Sequence, residues 1–235
     1  MGVRRDVLGD EVPVRGKASG REHDRDAVAD FAGERLGMHV IERTDAFTLV
    51  GADARRGKLT LFAAEGPREP GVLERVVLRV NDLDAALAAM PDRLAVRRRG
   101  DVATFEGPEG LGLGLVRAGT DLDYDLDHVV LRVPDPGGTA EALDAFGFAR
   151  RDGRATVADK HLRLERGDVR EGERPLLNHL ALLVESANAV ERAARDRGIE
   201  IDDIKDAPNT LAVFLRGPDR IRIEYVEHKP SFSLV

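Results

Sequence analysis

Three residues in the second half of the chain have types and spacing that could do chemistry: His128 in LDHVVLRV (126–133), His179 in LNHLALLV (177–184) and Glu224 in RIRIEYVEH (220–228). Neutral imidazoles and a carboxylate are ligands for divalent metals. Two imidazoles plus one carboxylate, with positions left open, suit non-haem Fe(II), and Mn(II), Zn or Ni as well. A strand sends alternate side chains to opposite faces. Val129, Leu131 and Val133 then form the face that packs on a helix, and His128, Val130 and Arg132 face a cavity. The same count gives His179, Ala181 and Leu183 one face, and separates Arg220, Arg222 and Glu224 from Ile221, Ile223 and Tyr225.

The elements that must position these residues repeat along the chain. LERVVLRV (73–80) spells the strand of LDHVVLRV once more, with Arg75 where the other copies carry His. After each copy comes a helical stretch and then three short strands. In the last copy Ser186 caps the helix ANAVERAARDR, Gly198 stops it, and IEI, NTLAVFL and RIRIEYVEH follow. In the copy before it, Asp135-Pro136 starts a helix that ends at Gly147, and FARRD, ATVA and HLRLE follow. In the copy at 73–116, Asn81 caps DLDAALAAM, ahead of LAVRRR, VATFEG and LGLGLVR. A fainter unit fills 12–64, with its first strand near VPVRGKASG. The expectation is an α+β fold of four βαβββ modules. They pair into two domains, 1–118 and 119–235, joined near RAGTDLDYD, each with a curved mixed sheet enclosing a cavity. A lone module has an open sheet and cannot bury its helix-free face, so modules must pair.

Composition narrows the function classes. With 42% hydrophobic and 34% charged residues, the 235-residue chain can build a packed core. At a net charge of −7, with its basic residues scattered, it makes a poor nucleic-acid binder. Without cysteine there is no disulfide framework, thiolate site or cysteine nucleophile. No apolar run reaches the ~20 residues of a membrane span, and MGVRRDVLGDEVPV lacks the apolar core of a signal peptide. A cytoplasmic protein with a small-molecule partner is expected, neither on a membrane nor on nucleic acid; a homo-oligomer is compatible with all of this.

Paired βαβββ modules with His on their first strands and Glu on the last resemble the vicinal oxygen chelate superfamily, which includes glyoxalases, bleomycin-resistance proteins and dioxygenases. Four modules with the intact site in the second half resemble two-domain type I extradiol ring-cleaving dioxygenases. The resemblance implies His128, His179 and Glu224 as ligands of one ion, Fe(II) foremost, and a catecholic or related substrate cleaved with O₂. It also implies a structural front half, because Arg75, Gly114 and Phe62 stand where ligands would be.

Two residues pull toward other members of the superfamily. Aligning HLRLE (161–165) with IRIE (221–224) sets Glu165 against Glu224. Glu165 would then be a fourth ligand or base, as in glyoxalase-type lyases and epimerases with a redox-silent metal. His161 loosely matches a histidine that supports the metal ligands in the dioxygenases. Lys205 and Phe214 stand where that family has its acid–base histidine and tyrosine, which counts against activity on simple catechols. They join Arg132 and Arg222 as candidate cavity residues. Arg132, Arg163 and Arg222 would suit an anionic substrate. A non-catalytic small-molecule binding protein is the third reading. Gly112 and Gly114 in EGLGLGLV are read as relieving crowding, since no helix follows to make them a phosphate-binding turn.

Overall fold

The structure is a computed structural model that describes residues 10–15, 24–53, 56–63, 71–168 and 175–232. Four βαβββ modules follow one another. The first comprises β1 (Asp10–Arg15), α1 (Asp24–Arg35), β2 (His39–Arg43), β3 (Phe47–Asp53) and β4 (Arg56–Phe62). The second comprises β5 (Leu73–Val80), α2 (Leu83–Ala88), β6 (Arg97–Arg99), β7 (Val102–Glu106) and β8 (Gly112–Arg117). The third comprises β9 (Asp125–Val133), α3 (Pro136–Leu143), β10 (Ala149–Arg151), β11 (Arg154–Val157) and β12 (Lys160–Arg166). The fourth comprises β13 (Leu180–Leu183), α4 (Ala187–Asp196), β14 (Ile201–Asp206), β15 (Thr210–Arg216) and β16 (Arg222–His228). No helix among the described residues is long and apolar enough to cross a membrane.

Local chemistry explains where the helices begin and end. The Ser186 hydroxyl accepts from Ala189 N at the start of α4, satisfying one of the four amides that a helix start leaves unpaired. In α2 the cap is Asp82 rather than Asn81: its carboxylate takes Asp84 N and Ala85 N. Asn81 instead exchanges two hydrogen bonds with the Thr120 backbone. Gly147 closes the helical segment of the third module at φ +89, a conformation that costs a side-chain-bearing residue. Strand β14 begins where IEI was expected to end; a polar run, IDDIKD, is held in the sheet by pairing with β15. As an edge strand it is guarded by charge.

Each first strand is flanked by the last strand of its own module in parallel and by the first strand of another module in antiparallel. The partners are not those expected. The second and third modules share one sheet, ordered β10-β11-β12-β9-β5-β8-β7-β6. The first and fourth share the other, ordered β14-β15-β16-β13-β1-β4-β3-β2. The expected split into 1–118 and 119–235 is therefore corrected to a nested pairing. β5 and β9 pair with each other at the centre of the inner sheet. The outer modules are left to join through β1 and β13. Neither sheet closes; both edges of the inner sheet carry arginine, Arg97–Arg99 and Arg150–Arg151.

The expected faces hold. Val129, Leu131 and Val133, and likewise Ile221, Ile223 and Tyr225, are buried, and one apolar core runs through all four modules. The Tyr225 hydroxyl joins the two sheets by donating to the Phe146 carbonyl at 2.6 Å. Gly112 bears out the crowding argument: a Cβ there would lie 2.1 Å from the Glu74 carbonyl oxygen.

Candidate metal centres

On the outer sheet a row of paired residues crosses the central strands. Phe214 on β15 faces Glu224 on β16, Glu224 faces Ala181 on β13, and Ala181 faces Glu11 on β1. Side chains directly opposite one another share a face, so Phe214, Glu224 and Ala181 lie on one face. His179 stands two residues before Ala181, on the same face. Its Nε2 lies 2.8 Å from Glu224 Oε2. The imidazole is only 4% exposed. Phe62 and Phe214 bracket it, with ring centroids at 6.0 and 5.2 Å, the latter edge-on. Among the described residues its buried Nδ1 finds no hydrogen-bond partner, nor does the Thr60 hydroxyl on β4. Arg222 lies 4.0 Å over the Phe214 ring and forms an ion pair with Asp202 at 2.6 Å.

This pair fits an ion. Two donors 2.8 Å apart have the spacing of neighbouring ligands on one centre with metal bonds of about 2.0–2.2 Å.

The inner sheet holds a different cluster. His128 on β9 pairs with His161 on β12, and their rings stack at 4.6 Å. In the β5–β9 register Val77 faces His128 but Leu78 faces Leu126, so Asp127 is an extra residue, a bulge. A bulge turns an additional side chain toward its neighbour's face, and Asp127 Oδ1 reaches His128 Nδ1 at 2.6 Å. Arg79 pairs with the other Asp127 oxygen at 3.2 Å. Burial pushes the Asp127 carboxyl up, but the His128 hydrogen bond and charge, with Arg79, outweigh it and hold the group below its usual range. Burial, then the neighbouring His128, lowers His161 to about 4, so its imidazole is neutral at pH 7. Among the described residues, Asp127, His128 and His161 are the one group of three metal-type donors whose ligand atoms all lie within 4.8 Å of one another. The chain thus carries a cluster able to hold a divalent metal.

Of the expected ligands, the structure brings His179 and Glu224 together and keeps His128 out of their group. Nested pairing is the cause: β9 belongs to the inner sheet, β13 and β16 to the outer. Glu165 is not the counterpart of Glu224 either. Glu224 faces Ala181, two residues past His179; the same step past His128 reaches Val130, which faces Arg163. Glu165 faces Arg132 instead and pairs with Arg163 at 3.1 Å. By the same rule the first module's counterpart is Thr60, opposite Pro13, rather than Phe62.

The remaining cavity residues divide. Phe214 and Arg222 line the His179 site. Lys205 is exposed and paired with Asp203. Arg132 binds Glu74 through two nitrogens, at 3.1 and 2.6 Å, at the rim of a ≈550 Å³ cavity on the second module. Each of Arg132, Arg163 and Arg222 already holds a carboxylate. Sequence reasoning missed Thr60 and Asp127.

No family model matches the sequence, and no curated protein matches it. Solved structures do. A candidate dioxygenase from Bacillus subtilis is 16% identical, covering 97% of this chain and 87% of its own, with a TM-score of 0.73. Glyoxalase I from Zea mays is 16% identical over 94% of this chain and 92% of its own, with a TM-score of 0.71. The CppA protein of Streptococcus pneumoniae is 14% identical over 96% of this chain and 100% of its own, with a TM-score of 0.63. The dioxygenase and glyoxalase are vicinal oxygen chelate proteins, and this chain has their fold.

Proposed function

We propose that the chain is a divalent-metal-dependent enzyme with its centre on the outer sheet. His179 and Glu224 hold the ion, and the substrate is a small molecule presenting two neighbouring oxygens. The observation that carries this reading is the buried 2.8 Å contact between His179 Nε2 and Glu224. An imidazole with a carboxylate suits Mn(II), Zn or Ni without a change of oxidation state. That favours proton transfer, of lyase or isomerase type. An ion bound there polarises the substrate oxygens and makes an adjacent C–H acidic. Glu224 is the carboxylate placed to take that proton and return it. Phe62 and Phe214 keep water from the imidazole and fix its plane. Arg222, stacked on Phe214 and tied to Asp202, holds that ring in place.

A second reading, an Fe(II) ring-cleaving dioxygenase, is favoured by the spacing of LDHVV, LNHLA and RIRIEY. It needs His128 to join His179. The test is to strip the protein with chelator and reload it with Mn(II), Ni, Zn or Fe(II). Turnover of α-hydroxycarbonyl compounds, hemithioacetals and catechols is then followed with and without oxygen. Oxygen-independent turnover, lost in Glu224→Gln, is expected. Oxygen uptake on catechols with Fe(II) would transfer the case to the second reading. A wild-type protein that binds no metal would sink both.

A further inference from the structure

We infer a second metal site, on the inner sheet, in which Asp127, His128 and His161 hold a zinc-class ion and a water-sized ligand fills the fourth position. It is independent of the centre at His179, since it uses other residues on another sheet.

The donor set comes first. Two imidazoles and one carboxylate select borderline ions such as Zn²⁺, Co²⁺ or Ni²⁺ over Mg²⁺ or Ca²⁺, which prefer all-oxygen shells. Their positions come next. The bulge at Asp127 presents its carboxylate on the side of His128, and the strand pairing of His128 with His161 fixes both imidazoles on one patch. The ion would replace the proton now shared between Asp127 Oδ1 and His128 Nδ1, which are 2.6 Å apart. Arg79 remains on the second carboxylate oxygen and orients it, as the hydrogen-bonded partners of metal ligands usually do.

His161 is the donor that must move. The three ligand atoms lie within 4.8 Å, and a tetrahedral centre with bonds of about 2.0–2.1 Å draws donors to roughly 3.3 Å. Turning the His161 ring out of its stack on His128 supplies that closure without moving the backbone. His161 has no hydrogen bond to break among the described residues; its ring contact is with His128.

The fourth position has a place too. A cavity of ≈30 Å³ opens beside both histidines, walled by Leu126, Phe148 and Val157 and by Leu180 and Leu182 from β13. That is room for one water, between mostly apolar walls that Lys160, paired with Asp125, also joins. Because β13 belongs to the outer sheet, an ion here also tightens the junction between the two sheets.

Zn²⁺ and Co²⁺ are titrated by calorimetry into the full chain after chelator treatment, with wild type, His161→Ala, Asp127→Asn, His179→Ala and the His161→Ala/His179→Ala double variant. Thermal midpoints in chelator check each fold, and His161→Gln serves as a second variant that preserves bulk. Two ions per wild-type chain are expected, one in His161→Ala, one in His179→Ala and none in the double variant. Asp127→Asn should weaken one of the two sites at least about 10-fold. Wild-type stoichiometry unchanged by both His161→Ala and His161→Gln would overturn the inner site. Loss of an ion in His161→Ala but not in His179→Ala would leave the inner site standing and remove the outer one.

Discussion

On the outer sheet His179 Nδ1 and the Thr60 hydroxyl are buried and, among the described residues, have no hydrogen-bond partner. On the inner sheet the buried and half-buried acids each hold a cation. Asp125 takes Lys160 at 2.8 Å, Asp127 takes Arg79, and Glu74 takes Arg75 and Arg132. Both sheets spend ion pairs on their own folding, the outer one through Arg222 and Asp202, but the inner sheet buries a lysine–carboxylate pair where the outer sheet buries a histidine–glutamate contact. On the inner sheet Arg79 Nε and Asp125 Oδ1 also lack a hydrogen-bond partner among the described residues, although each side chain belongs to an ion pair.

Changes that disarm the two sheets should then have opposite consequences. The largest effect belongs to Lys160, whose ammonium is buried beside Asp125. Lys160→Met leaves that carboxylate buried and uncompensated, and we expect a loss of about 3–5 kcal/mol in denaturant unfolding. A loss under about 1 kcal/mol would mean the inner sheet does not depend on its ion pairs. Next comes the tie between the sheets. Tyr225→Phe strands the Phe146 carbonyl, and about 1–3 kcal/mol should go.

On the outer sheet the sign reverses. Thr60→Val removes an unsatisfied hydroxyl while keeping the shape, and the metal-free protein should be unchanged or up to about 1 kcal/mol more stable. A clear destabilisation would show that the hydroxyl has a structural partner.

The smallest effect is a pH dependence. Folding lowers His161 from its ordinary 6.5 to about 4, so between those values the unfolded chain binds more protons than the folded one. Stability in chelator should hold above about pH 6.5 and decline as pH falls toward 4, the direction that linkage requires. His161→Asn should flatten that decline; an equally steep slope in the variant would assign the titration to another group.

Much of this was legible in the sequence, for physical reasons. Alternation along LDHVVLRV and RIRIEYVEH gave the buried faces, since a strand has no other way to expose one set and bury the next. Ser186 and Gly147 announced helix ends by chemistry local to their own turns. His179 and Glu224 could be joined because both lie in one module. What failed was long-range. Every module offers a first strand with an open edge, and nothing within β1, β5, β9 or β13 says which will meet which. The linker at 117–125 reads as a boundary, yet it connects two modules of one sheet. The bulge at Asp127 was equally hidden, because LDHVV and LERVV have the same pattern and differ only in register. Glu165 was misplaced for the same reason: matching glutamate to glutamate ignored the strand pairing that puts Arg163 opposite Val130.

The nested pairing makes the most exposed claim: an ion held by His179 and Glu224 is held without His128, which lies on the other sheet. Mn(II) binding, followed by the loss of its free-ion electron paramagnetic resonance signal, tests this in one experiment. Mn(II) is chosen because it favours carboxylate oxygen over a two-imidazole cluster. We expect Glu224→Gln to weaken Mn(II) binding at least about 10-fold, while His128→Ala retains wild-type affinity. Loss of binding in His128→Ala as complete as in Glu224→Gln would contradict the account, and would put His128, His179 and Glu224 around one ion.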